Sequence, residues 1–271
     1  MATILDQILS DTRRLVVERR CHTPASSLVE RDAYGAPRRS LVDALRAPGL
    51  SIIAESKQAS PSQGVIRPEY DPASIAVAYE KGGASAVSVL TEPTHFLGSL
   101  DHLEAARAAV SLPLLRKDFV IDPYQITEAR AFGADAILLI ASALERSHLE
   151  GLRTAAVETG LEVLLEIHDV RELDRIDLAL FPMIGVNNRD LRTFEVDLQQ
   201  SLDVFGLLPA EVVRVTESGL KSAADLAAMA RGGADAALIG EAFMRADDPG
   251  HALKELISET RTLLDHTEIS A

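Results

Sequence analysis

The sequence predicts a (β/α)8 barrel, an α/β fold, with a helical extension ahead of it. Three observations carry this. Apolar runs of strand length recur at 50–57, 84–90, 111–117, 134–140, 161–167, 182–187, 211–217 and 234–240. Stretches rich in Ala, Leu and Glu alternate with them, at 73–81, 101–109, 123–132, 146–159, 169–175, 197–205 and 222–231. The strand runs are mostly apolar throughout, as expected of parallel strands covered on both faces. The competing fold is a doubly wound sheet, but no glycine-rich dinucleotide fingerprint follows any early strand. Eight strands with short connections favour closure into a barrel of the TIM type.

Taken in order, residues 1–48 read as a helical extension and 49–271 as one barrel domain. Ile4, Leu5, Ile8 and Leu9 recur at helix spacing, and Leu15, Val16 and Val17 follow. Pro24 interrupts that pattern, and a second helical piece around Ser40–Leu45 ends near Pro48-Gly49. The extension reads as a lid packed on its own domain; binding a membrane or partner is the alternative. Within the barrel, Gly82-Gly83, Gly133, Gly160 and Gly233 sit where helices hand over to strands, a place for left-handed backbone. A last helix is expected around His251–Leu264.

Composition narrows the function. The 271 residues are 47% hydrophobic and 25% charged, a soluble globular balance. Lys and Arg number 27 against 41 Asp and Glu, a net charge of −14. Nucleic acid is therefore not an expected partner, because no broad basic field would neutralise phosphates. A single cysteine, Cys21, excludes an intrachain disulfide. With no signal-peptide core and no apolar run long enough for a membrane span, the cytoplasm is the expected location.

The polar residues cluster at the C-terminal ends of the strand runs, where a barrel carries its chemistry. Glu55 and Lys57 end the first run, and Thr91-Glu92 follow the second with His95-Phe96 in the loop. Arg116-Lys117-Asp118-Phe119 end the third, Glu166 and His168 the fifth, and Asn187-Asn188-Arg189-Asp190 the sixth. Thr216-Glu217-Ser218-Gly219 end the seventh and Gly240-Glu241 the eighth, while the fourth closes on apolar Leu138-Leu139-Ile140. Any one of these could be a cap or a local salt bridge. Together they supply ammonium donors, carboxylate acceptors and orienting amides. Ser218-Gly219 and Gly240, each before a helical segment, read as a phosphate cradle or as ordinary turns; Ser60 or Ser62, with Lys57 near, could serve the same anion. No His/Cys cluster accompanies His95 or His168, so no metal site is expected.

The ordered motifs make the chain closely resemble the indole-3-glycerol phosphate synthases. They are Ile53-Ala54-Glu55-Ser56-Lys57 with Ala59-Ser60-Pro61-Ser62, Ser88-Val89-Leu90-Thr91-Glu92 with Phe96, and Leu115-Arg116-Lys117-Asp118-Phe119. Leu165-Glu166-Ile167-His168, Gly185-Val186-Asn187-Asn188-Arg189-Asp190-Leu191, Glu217-Ser218-Gly219 and Ile239-Gly240-Glu241 complete them. The resemblance implies a decarboxylating, dehydrating ring closure of a phosphorylated small molecule that uses no metal or organic cofactor. It implies Lys117 as general acid, Glu166 as acid/base in the dehydration, Lys57 on the substrate carboxylate and Glu55 orienting the lysines. Asn187 and Glu217 would position hydroxyls. Ser60, Ser218, Gly219, Gly240 and Glu241, the last through its backbone N–H, would hold phosphate. Phe96, Phe119 and Leu191 would wall the aromatic end, with Arg189 also among the substrate-binding residues. Two rivals remain: a phosphoribosyl aldose–ketose isomerase, and a catalytically retired ligand-binding module.

Three departures from the family's pattern stand out. Ser56 occupies a position more often branched and apolar, which predicts a packing or stability cost on the side opposite Glu55 and Lys57. Gln63 stands where Lys is frequent, removing a loop charge. Thr216 replaces a common Ser.

Overall fold

The computed structural model describes residues 3–190 and 193–268. Its centre is a closed, wholly parallel barrel of eight strands: β1 Ser51–Ser56, β2 Ala86–Leu90, β3 Leu114–Lys117, β4 Ala136–Ile140, β5 Glu162–Ile167, β6 Met183–Asn187, β7 Val213–Glu217 and β8 Ala236–Ile239. Each strand pairs with its neighbours in sequence, and β8 returns to β1 with Ser51 opposite Ala236. The outer ring comprises α5 Pro72–Gly82, α6 Leu100–Ala109, α7 Pro123–Ala131, α8 Arg146–Glu158, α9 Gln199–Phe205 and α10 Ala223–Arg231. The short α11 Glu241–Met244 and the long α12 Pro249–Glu268 follow β8. After β5 the expected helix at 169–175 is a 3-10 segment, Val170–Arg175, a departure from regular α-helix. The Asp169 side chain caps its start and Ile176 has already returned to extended backbone, so only a short, tight coil fits between them.

Strand alternation divides the core in two. Ile53, Ala86, Leu115, Ala136, Leu138, Leu164, Met183, Val215 and Leu238 fill the barrel interior. Ile52, Val87, Leu114, Ile137, Val163, Ile184 and Ala237 point the other way, into the layer beneath the helices. Both sets are buried, which is why the strand runs read as continuously apolar.

Four helices precede the barrel: α1 Ile4–His22, α2 Ala25–Leu28, α3 Asp32–Gly35 and α4 Leu41–Leu45. Thr3 and Asp6 form a capping box that starts α1. Val16 and Leu28 pack with Tyr124 and Ala131 of α7, and the Tyr124 hydroxyl donates to the Thr23 carbonyl at 2.7 Å. At the opposite end, Leu41, Val42 and Leu45 of α4 join the barrel-interior cluster and plug its N-terminal mouth. The Glu162 carboxylate, at the first residue of β5, fixes the plug by accepting from Ser40 Oγ and from the Leu41 and Val42 amides. Among the described residues, no helix is long and apolar enough to cross a membrane.

Candidate active site

The C-terminal mouth of the barrel opens into a cavity of about 340 Å³, within the range of small-molecule sites. Continuing the inward alternation upward from Ile53, Leu115, Leu164, Gly185 and Val215 brings Glu55, Lys117, Glu166, Asn187 and Glu217 to one polar layer above the apolar barrel core. Register sets the level: Asn187 lies opposite Glu217, and Glu166 opposite Gly185. That glycine is required, since a Cβ on it would stand 2.1 Å from Oε1 of Glu217. Gly240 does the same for Glu55, whose Oε1 would be 2.5 Å from an added Cβ.

The charges are paired closely. Lys57 Nζ donates to Glu55 Oε1 at 2.5 Å. Lys117 Nζ donates to Glu166 Oε2 at 3.0 Å and stands 3.9 Å from Glu217 Oε2. Asn187 Nδ2 donates to the other oxygen of Glu166 at 3.2 Å. Burial works against the charge of Lys117, but the carboxylates of Glu166, Glu217 and Glu55 outweigh it and raise its pKa, so the ammonium is the resting form. Burial likewise opposes ionisation of Glu166, yet the Lys117 and His168 charges and the hydrogen bonds from Lys117 and Asn187 prevail, lowering its pKa to about 2. Glu217 goes the other way: burial first, then the neighbouring Glu166 charge, push its carboxyl well above the usual range. The two carboxyls that flank the ammonium are thus pushed in opposite directions, Glu166 toward its charged form and Glu217 toward its neutral one.

Around this layer the loops complete the walls. Ser60, Phe96, Phe119 and Arg189 line the cavity, as do Ser218, Gly219, Gly240 and Glu241 at the β7 and β8 ends. Phe96 is set by Glu92, whose carboxylate accepts from the amides of Thr94, His95 and Phe96, and its ring centroid lies 6.2 Å from that of Phe119. Ser218 and Gly219 turn through φ values of 67° and 81°, a left-handed step just past the end of β7. The Glu241 side chain is held by Arg245 at 3.2 Å and approaches Arg189 at 4.0 Å. Leu191 lies outside the described residues.

Several residues read at the strand ends face elsewhere. Arg116 points outward from β3, fully buried, and pairs with Asp118 at 2.9 Å and Glu128 of α7 at 3.2 Å. Asn188 bonds Thr216 and the backbone of Glu217 and Ser218, tying the β6 and β7 loops together. His168 sits behind Glu166, its Nε2 3.5 Å from Oε1. Other cavity residues were not singled out from sequence: Ile4, Leu5 and Ile8 of α1, Phe194, Lys221 and Arg245. Of these, only the helical spacing of Ile4, Leu5 and Ile8 is a signal, and it reads as a lid packed on its own domain without pointing to this cavity. Among the described residues, no group of three or more His, Cys, Asp or Glu side chains is arranged to hold a metal ion.

The barrel itself is shared widely. A thiamine phosphate pyrophosphorylase from Pyrococcus furiosus superposes with a TM-score of 0.61 at 14% identity, covering 83% of this chain and all of the other. The 3-hexulose-6-phosphate synthase of Salmonella typhimurium gives 0.64 at 13% identity, over 79% of this chain and 99% of the other. At these identities the likeness concerns fold alone. Sequence relatives are far nearer. The indole-3-glycerol phosphate synthase of Salinibacter ruber is 52% identical over 263 residues, 96% of this chain and 97% of that protein. That of Aromatoleum aromaticum is 48% identical over 261 residues, 94% of this chain and 99% of that protein. The family model described as indole-3-glycerol phosphate synthase matches residues 5–256. The chain belongs to the indole-3-glycerol phosphate synthase family.

Proposed function

We propose that the chain closes the indole ring of 1-(2-carboxyphenylamino)-1-deoxyribulose 5-phosphate, releasing carbon dioxide, water and indole-3-glycerol phosphate. The observation that carries the reading is the Lys117–Glu166 pair, 3.0 Å apart at the floor of a cavity walled by two phenylalanines. Attack of the aryl carbon on the ketone builds negative charge on oxygen, and Lys117, held as an ammonium, protonates it. Carbon dioxide then leaves with its bonding electrons returned to the ring, restoring aromaticity. Dehydration needs one proton delivered to the hydroxyl and another taken from carbon; Glu166 is the acid/base group for it. Lys57 engages the substrate carboxylate while Glu55 orients Lys57. Asn187 fixes Glu166, and Glu217 in its protonated form offers a hydroxyl donor to the sugar oxygens.

The phosphate is assigned to the β7 and β8 end of the cavity, with Ser60, Ser218, Gly219, Gly240 and the Glu241 amide. Lys221 and Arg245 line that same cavity and supply local positive charge on an acidic protein. Phe96 and Phe119 receive the anthranilate ring, and Arg189, 4.0 Å from Glu241, is a further substrate-binding residue. The assignment of Leu191 to the same wall is carried by the family's motif alone.

Incubation with the carboxyphenylamino deoxyribulose phosphate, followed by fluorescence and mass analysis, tests the reading. Indole-3-glycerol phosphate formed by the parent and nearly lost in Lys117→Ala is the expected result. A folded parent that binds the substrate without releasing carbon dioxide would overturn it. Turnover surviving in Lys117→Ala would keep the reaction and reassign its acid.

A further inference from the structure

His168 is a half-buried imidazole for which the ring closure as described has no use. It lies just past the end of β5, two residues after Glu166, and does not line the cavity. Among the described residues, both ring nitrogens are shut from solvent and lack a hydrogen-bond partner. The nearest acidic oxygen is Oε1 of Glu166, 3.5 Å from Nε2, and 15% of the side-chain surface remains exposed. Glu166 therefore stands between two nitrogen bases, Lys117 on Oε2 and His168 on Oε1.

Proton balance gives this arrangement a task. The substrate enters with its carboxylate ionised and loses it as neutral carbon dioxide, so each turnover consumes one proton from solvent. Lys117 gives one proton to the ketone oxygen and regains one through Glu166, the base that takes the hydrogen from carbon at the end. The proton that leaves in water must come from a second donor. Resting Glu166 is a carboxylate and cannot supply it unaided. Once Lys117 has given up its proton, the strongest cationic partner of Glu166 is gone and the carboxylate becomes the better base.

We infer that His168 is a positioning residue for the dehydration, passing a solvent-derived proton through Glu166 to the departing hydroxyl. The inference rests on the ring-closure reading. In the step itself, Nε2–H of the imidazolium protonates Oε1, and the resulting carboxylic acid protonates the hydroxyl. The carbon–oxygen bond then breaks with its electron pair leaving in water, and Glu166 is again a carboxylate. Neutral His168 recovers a proton from solvent once a ring rotation brings one of its nitrogens, both shut from solvent at rest, to the surface. An imidazole suits this exchange because one ring nitrogen can take up a proton while the other gives one away. The charged and titratable groups around it are Glu166 and Asp169 with Arg171, Glu172, which accepts from the His168 amide at 2.8 Å, Arg175 on Glu172, and Lys117 and Glu217 across Glu166.

The test compares the parent with His168→Gln and His168→Ala by steady-state kinetics across pH and by rapid-quench mass analysis. We expect kcat of both variants to fall about 10²-fold, the scale of one acid/base group, with KM little changed. A decarboxylated species one water heavier than product accumulates, the pH profile of kcat differs between the parent and His168→Gln, and added imidazole partly restores His168→Ala. A His168→Gln enzyme with parental kcat and pH profile would overturn the inference. Slowing with no heavier species and no response to imidazole would do so too, reducing His168 to packing. A parent that makes no product at all would sink the ring-closure reading instead, and this one with it.

Discussion

Lys117 reaches one oxygen of Glu166 at 3.0 Å while Asn187 holds the other at 3.2 Å. The carboxylate is thus fixed at both ends and kept ionised by the group it serves. Glu166→Gln keeps the shape and the Asn187 side of this arrangement but cannot carry a proton. We expect kcat to drop by roughly 10²–10⁴, with KM little moved. Stability shifts on the acid side. The folded pKa of Glu166 lies near 2, below the ordinary 4.5, so its contribution is full above pH 4.5 and disappears as pH falls towards 2. Thermal melts of Glu166→Gln should lack that part of the parent's acid loss; equal slopes would contradict the assigned charge.

Glu217 carries the opposite sign. Burial, then the Glu166 charge, raise its folded pKa well above 4.5, so above that pH the folded chain holds a proton that the unfolded chain has released. Stability therefore declines as pH rises above 4.5. Glu217→Gln, neutral at every pH, should flatten this decline, and its melting temperature should gain on the parent's as pH rises above 4.5. Parallel curves would mean that Glu217 is ionised at rest.

Gly185 is where backbone and carboxyl meet. In Gly185→Ala the new methyl would stand 2.1 Å from Glu217 Oε1 and 3.1 Å from its carboxyl carbon. The side chain has to move up into the cavity, at a cost of about 1–3 kcal/mol for an overpacked core. Denaturant unfolding should show that loss, and turnover should fall with it. Adding Glu217→Ala should recover most of the stability but none of the activity; strict additivity of the two changes would deny the clash.

The extension is tied to the site through Asp11 of α1, whose Oδ2 lies 2.9 Å from Nε2 of His95 in the loop that carries Phe96. Ile4, Leu5 and Ile8 of the same helix line the cavity. Breaking the tie should loosen the aromatic end without touching the reacting groups. Asp11→Ala is expected to raise KM about threefold to tenfold with kcat near the parent's, a pattern of lost uniform binding. A fall confined to kcat would show that α1 acts on the chemistry instead.

The barrel was legible because its strand runs are apolar on both faces and its helix ends carry glycine. The inward polar layer was legible because alternation is strict: Glu55, Lys117, Glu166, Asn187 and Glu217 each continue an inward apolar series. What escaped reading depends on docking between distant segments. Nothing local to Ile4 or Ile8 says that α1 lines the cavity, and nothing local to Arg245 says that its guanidinium meets Gln63 across the loops at 2.7 Å. The same holds for α4, whose role as a plug depends on the Glu162 carboxylate more than a hundred residues away.

Ser56 shows the limit most clearly, since alternation gave its direction and missed its partner. It faces away from Glu55 and Lys57, but its hydroxyl lies 2.7 Å from that of Tyr70, so no unmet polar group accompanies the lost branched side chain. Tyr70 is largely buried, which pushes its pKa up to about 12, and its phenol needs a partner there. Ser56→Ala should therefore destabilise by about 1–3 kcal/mol, the cost of a buried polar group left unpaired. Tyr70→Phe strands the Ser56 hydroxyl in the same way. The double variant removes both polar groups and should cost clearly less than the two single changes summed, a coupling of at least about 0.5 kcal/mol. Chemical denaturation of the four proteins measures it. A cycle that closes additively would show that the bond contributes nothing, and that Ser56 carries the packing cost its departure from the family pattern suggests.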